Sequence, residues 1–313
     1  MKVGSNLERV LASGTFAVTA ELGPPKGADA EVVKRKMEVL KGKADAINIT
    51  DNQTAVVRMS SAAAAVLLVQ AGLEPVMQMT CRDRNRLAIQ ADILGAYALG
   101  VRNLLCLTGD HQTFGNHPQS KNVYDLDSVQ LLQAVRRMRE EGVFMSGDKL
   151  EVAPRMFIGA AANPFADPFD FRPYRLAKKV AAGADFIQTQ MIYNVPKFRE
   201  FMKRICDMGM HEKAYIMAGL GPIKTPGAAR YMATSVPGMD VPAEIVQRMV
   251  DAPKAKRAEE GINICVEIIQ QVREIPGVAG IHIMAIEWEE AVPEIVARAG
   301  LLPRPQLSEV QEG

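Results

Sequence analysis

Eight short β-prone apolar runs alternate along this chain with helical patterns, and that alternation constrains the fold most. The runs are Phe16–Leu22, Asp45–Thr50, Glu74–Cys81, Asn103–Gly109, Met156–Ala162, Phe186–Tyr193, Ala214–Gly221 and Gly280–Ile286. They are nearly continuous rather than strictly alternating, as parallel strands buried on both faces are. Between them, Asp29–Lys41, Ala55–Gln70, Arg84–Leu99, Ser128–Glu141, Phe171–Ala182, Pro196–Met208, Pro226–Ser235 and Ile262–Arg273 carry apolar residues at helical spacing. Gly72, Gly100, Gly142 and Gly183 stand where helices should stop. The first strands start about 29 residues apart, one βα unit each. The repeat stretches at a loop, His111 to Asp125, and at an extra helical segment, Pro242 to Arg257. Eight such units predict an α/β fold: a single-domain (β/α)8 TIM barrel over residues 1–302, followed by a loose polar tail, 303–313. A doubly wound open sheet is the competitor, and the count of eight weighs against it.

Charge is balanced, 37 Lys+Arg against 36 Asp+Glu, with no basic stripe, which argues against nucleic acid as a partner. Cys81, Cys106, Cys206 and Cys265 are far apart and form no CxxC, so reduced thiols and no metal site are expected. The opening Met-Lys-Val-Gly-Ser-Asn-Leu-Glu has no apolar core for a signal peptide, and no apolar run reaches membrane-spanning length. A cytoplasmic protein is expected.

A barrel builds its active site from the loops after its strands. The first strand ends on a lone acid, Glu21, followed by Leu22-Gly23-Pro24-Pro25-Lys26-Gly27. Burial there would raise its pKa and make it a proton donor near neutral pH; the plainer alternative is a carboxylate capping a loop or pairing with an arginine. Asp110 ends Leu107-Thr108-Gly109-Asp110 and could bond a heterocycle or steady a developing cation, or else cap the next turn. Gln188 and Gln190 alternate on strand six, and their amides suit a pterin or flavin edge or form a satisfied interior layer. The Gly219 to Gly227 loop lacks the full phosphate-binding spacings.

Together these residues resemble the methylenetetrahydrofolate reductase family, from about Phe16 to Leu302. The most specific strings are AELGPPKG, LTGD, AAGADFIQTQMIY and the Gly-Leu-Gly-Pro loop. NITDNQTAVVRMSS and MQMTCRDRNR look most like the shorter reductases of anaerobic one-carbon metabolism. The resemblance implies a flavin-holding barrel that reduces 5,10-methylenetetrahydrofolate to 5-methyltetrahydrofolate. It implies Glu21 as general acid opening the ring to an iminium, Asp110 as the carboxylate near pterin and flavin, and Gln190, with Gln188, as folate contacts. It places the flavin, FAD or FMN, against Thr50, Gln78, Thr108, Gly109, Asp110, His111, Asn163 and Lys179. The sequence departs from the family pattern at Gln78, Asp51, Asn163, Asp167, Met284 and Trp288. The resemblance further implies an oligomer, fed with electrons by NAD(P)H or by a small zinc and iron–sulfur partner subunit. Three other readings compete: a pterin-binding methyltransferase serving a corrinoid protein, a non-catalytic barrel subunit, and a flavin-free reductase.

Overall fold

The structure, a computed structural model, describes residues 1–307. Helix α1 (Asn6–Ala12) precedes β1 (Ala17–Leu22), α2 (Ala30–Leu40), β2 (Ala46–Ile49), α3 (Ser61–Gln70), β3 (Pro75–Thr80), α4 (Arg86–Ala98) and β4 (Asn103–Leu107). Then come α5 (Ser128–Glu140), β5 (Phe157–Ala162), α6 (Arg172–Ala182), β6 (Phe186–Met191), α7 (Val195–Asp207) and β7 (Tyr215–Leu220). Helices α8 (Pro226–Ser235), α9 (Ala243–Asp251) and α10 (Arg257–Arg273) lead into β8 (Val278–Ile283) and α11 (Val292–Arg298). All eight strands are parallel and close in sequence order, β8 pairing back onto β1. The barrel reading therefore holds, and the open sheet is excluded.

The side chains that point outward, such as Val18, Ala20 and Leu22 of β1, join the core beneath the helices. Those that point inward change character along the barrel axis. At the N-terminal end Ala17, Ala46, Val76, Leu105, Phe157, Phe186 and Met217 form a dry plug. Leu7, Val10 and Leu11 of α1 close that plug from below. Gly159 makes room for it, because a Cβ there would lie 2.2 Å from the Phe186 ring. One pleat further on, the inward residues are Thr19, Asn48, Gln78, Gln188 and His282, all buried. The barrel thus grades from apolar base to polar floor.

Two expectations need correction, and two short helices add to the expected set. Helix α3 starts at Ser61, capped by Ser60, and not at Ala55. Asn52, Thr54 and Ala55 have φ between 45° and 56°, left-handed backbone that no α-helix continues through. The short helices α1 and α11 carry too few turns to show a period. The tail is anchored at its start: Arg304 donates to Asp45 Oδ2 at 2.6 Å and to the Phe16 carbonyl, and Leu307 packs on the basal plug. The rest of the expected tail, 308–313, lies outside the described residues. Within them no helix is long and apolar enough to cross a membrane.

Candidate active site

The C-terminal mouth of the barrel opens into a cavity of about 340 Å3. Glu21, Gln78, Asn163, Lys179, Gln188 and Gln190 line it together, as do His282, Thr189, Met284, Arg172 and Arg175. Six of the sequence-nominated residues, from β1, β3, the loop after β5, α6 and β6, therefore meet in one place.

Under the cavity lies a closed hydrogen-bond layer. Asn48 Nδ2 donates to Gln188 Oε1 at 2.7 Å, and Gln188 Nε2 donates to Asn48 Oδ1 and Thr19 Oγ1, both at 3.1 Å. The Thr19 hydroxyl lies 3.0 Å from His282 Nδ1. Such groups tolerate burial only when bonded, and this layer bonds them to one another. Gln188 is thus a strut of the floor. Gln190 differs: its Oε1 accepts the Met191 N–H at 2.9 Å, while its Nε2 has no protein partner among the described residues. An irregularity in pairing between Gln188 and Met191 turns this stretch of β6 toward the mouth.

Glu21 stands above the layer, buried at the end of β1. Burial is the main cause that lifts its pKa to about 7, and the Glu289 carboxylate adds to the rise; bonds from Gln78 and Gln53 only partly offset it. Its carboxyl is therefore a mixture of acid and carboxylate at neutral pH. Lys179 donates to the Ala161 carbonyl at 2.6 Å, and burial lowers its pKa to about 8.

The β4 loop is placed differently. Thr108, Gly109, Asp110 and His111 are outside the cavity lining, as is Thr50. Thr108 Oγ1 accepts the Ser128 N–H at the start of α5. Gly109 sits at φ 93°, and a Cβ there would lie 3.0 Å from the Thr80 side chain and 3.1 Å from that of Arg82. The exposed Asp110 carboxylate accepts the Thr54 N–H at 3.1 Å, and the cap of the next turn is His111, not Asp110. Arg82 holds the β2 and β4 loops together, donating to the carbonyls of Asn52 and Asp110. Asp51 is fully committed, accepting the Thr80 N–H and hydroxyl and both Arg84 Nη groups. Thr50 Oγ1 is buried with no partner among the described residues.

Arg172 and Arg175 were not nominated from the sequence. With Lys179 they stand at i, i+3 and i+7, one face of α6, a spacing that marks them in retrospect.

The sequence model of methylenetetrahydrofolate reductase matches residues 6–300. A probable methylenetetrahydrofolate reductase (NADPH) of Caenorhabditis elegans is 25% identical over 252 residues, 78% of this chain and 35% of that protein. Methylenetetrahydrofolate reductase 2 of Schizosaccharomyces pombe is 29% identical over 246 residues, 73% of this chain and 36% of that protein. The chain thus spans little more than a third of the length of these two relatives. Among solved structures, an uncharacterized Clostridium thermocellum protein that binds two copies of 5-methyl-5,6,7,8-tetrahydrofolic acid superposes with a TM-score of 0.65. The two are 13% identical, with 95% of this chain and 100% of that one covered, a likeness of fold. A match to the family model that runs from the basal helix α1 through α11, over a barrel that gathers Glu21, Gln78 and Gln190 at one mouth, places the chain in the methylenetetrahydrofolate reductase family.

Proposed function

We propose that this chain reduces 5,10-methylenetetrahydrofolate to 5-methyltetrahydrofolate, with Glu21 as the general acid. The observation that carries this reading is a buried carboxyl of pKa about 7 at the mouth of a cavity with amide walls. Opening the five-membered ring breaks one carbon–nitrogen bond; the departing nitrogen takes a proton and the methylene carbon is left as an iminium. A carboxyl poised near the working pH suits that transfer. Gln190 offers its unpaired amide N–H to the pterin, and Gln78 and Gln53 hold Glu21. The Gln188 layer keeps the floor rigid.

The residues fit a flavin. The orphaned hydroxyl of Thr50 and the cationic wall of Arg172, Arg175 and Lys179 suit a ligand with a polar ring edge and phosphates. Gln78, Asn163 and Lys179 would hold it from the cavity, and Thr50, Thr108, Gly109, Asp110 and His111 from the adjoining loops. When bound, a flavin supplies the hydride that turns the methylene into a methyl group. The commitment of Asp51 to Arg84 and Thr80, at a position where the sequence departs from the family pattern, favours electrons from a partner subunit over an NAD(P)H site on this chain. Steady NADH oxidation by the isolated chain would overturn that part.

The test is a visible absorption spectrum of the purified chain, with the released cofactor identified by mass. A flavin spectrum bleached by 5-methyltetrahydrofolate is the expected result and distinguishes FAD from FMN. A colourless chain that binds folate would favour the methyltransferase or the flavin-free reductase. Glu21→Gln should lose at least about 99% of turnover while folding and binding cofactor normally; retention of about a tenth would remove Glu21 as the acid.

A further inference from the structure

Glu21 faces two cavities. The large one takes substrate. Behind it lies a second cavity of about 20 Å3, lined by Glu21, Gly23, Lys36, Gln53, Arg58 and Glu289, among others. That is room for one water molecule, and the walls offer more than the two to four polar partners a buried water needs. Arg58 adds an independent sign: its Nε–H is buried and has no partner among the described residues. A water in the chamber would give it one. The chamber's outer wall is Ile286 and Glu287, both exposed, with Arg58 Nη2 3.5 Å from Glu287 Oε1 across it.

We propose that this chamber is the proton inlet of Glu21, a path to bulk water that stays open when folate fills the main cavity. It rests on the reading of Glu21 as general acid. After each turnover Glu21 is a carboxylate facing bound product. A chamber water gives it a proton, one O–H bond forming as another breaks, and is itself reprotonated from solvent past the Arg58–Glu287 pair. The charged and titratable groups around Glu21 are consistent with this route. On the floor side stands His282, neutral because burial takes its pKa down to about 3, so it brings no proton at working pH. Gln78 and Gln53 carry none. On the chamber side Lys36 is paired with Glu289 at 2.5 Å and holds that carboxylate in place. Arg58 and Glu287 form the outer edge.

The test follows hydrogen–deuterium exchange at the Glu21 carboxyl by difference infrared spectroscopy, assigned against Glu21→Gln, with 5-methyltetrahydrofolate bound. Glu287→Leu removes the acid from the outer wall and puts an apolar side chain across the way to solvent. Arg58→Met removes the outer edge and its free N–H. With folate bound, either variant should slow exchange about tenfold or more. Without ligand, exchange should match wild type, because the main cavity then admits water. Unaltered exchange in whichever variant folds, with folate bound, overturns the inlet and leaves the acid role of Glu21 standing. Wild-type protein that fails to bind 5-methyltetrahydrofolate overturns the folate reading and the inlet with it.

Discussion

His282 Nε2 lies 3.9 Å from Glu21 Oε2, yet the two do not form an ion pair. Burial pushes the imidazole down to about 3 and the carboxyl up to about 7, so between those values both are neutral. Above pH 7 a carboxylate faces a neutral ring, and nothing nearby on the floor side compensates it. The barrel thus keeps a proton on Glu21 by withholding a counter-charge.

That arrangement has a cost in stability that depends on pH. The ordinary value for Glu21 is 4.5 and its folded value about 7, so between them the folded chain binds more protons than the unfolded chain. Stability contributed by this group is fully present below 4.5, falls as pH rises to 7, and is flat beyond. Glu21→Gln removes the dependence. Denaturant unfolding should show the variant gaining on wild type between pH 4.5 and 8, by on the order of 3 kcal/mol. An equal difference at both pH values would mean that the carboxyl is not held neutral.

Gln188 and Gln190 are two residues apart and should behave differently. Gln188→Leu strips partners from Asn48 and Thr19 inside the barrel, at a cost of about 2–4 kcal/mol in urea unfolding. Gln190→Leu should cost under about 1 kcal/mol and instead raise the KM for folate. Equal destabilisation by both would deny Gln190 its role as a ligand.

Asp110→Asn tests the β4 loop. The carboxylate accepts the Thr54 N–H, which the amide oxygen of asparagine can also do, so the loop should persist. Weaker folate binding and slower reduction are expected from the lost charge. Unchanged kinetics would confine Asp110 to holding the β2 loop.

Gly159→Ala probes the dry base. Its Cβ would meet the Phe186 ring, which stacks on Phe157 with centroids 5.1 Å apart. The substitution should cost about 1–3 kcal/mol, and Phe186→Leu in the same chain should recover part of it. A simple sum of the two single effects would show that the clash is relieved elsewhere.

Sequence by itself determined the number and order of the strands. Buried parallel strands are short apolar runs, and one βα unit takes about 29 residues, so the repeat was visible from Phe16 onward. It also nominated Glu21, because a lone acid in an apolar strand has few structural excuses. Tertiary structure decided what surrounds that acid. Gln53 and Arg58 come from the β2–α3 loop, Lys36 from α2 and Glu289 from the turn before α11, and no local pattern joins the three segments. Closure decided that Gln188 is a strut and Gln190 free, since both read alike along the strand and only the partners across the barrel, Asn48 and Thr19, tell them apart. It also held Asp110 and Thr50 outside the lining of the main cavity, through the left-handed turn at Asn52 to Ala55 and the Arg82 bonds that fix it. Periodicity reports which face of an element is buried; which polar groups meet there is fixed only when the eighth strand pairs with the first.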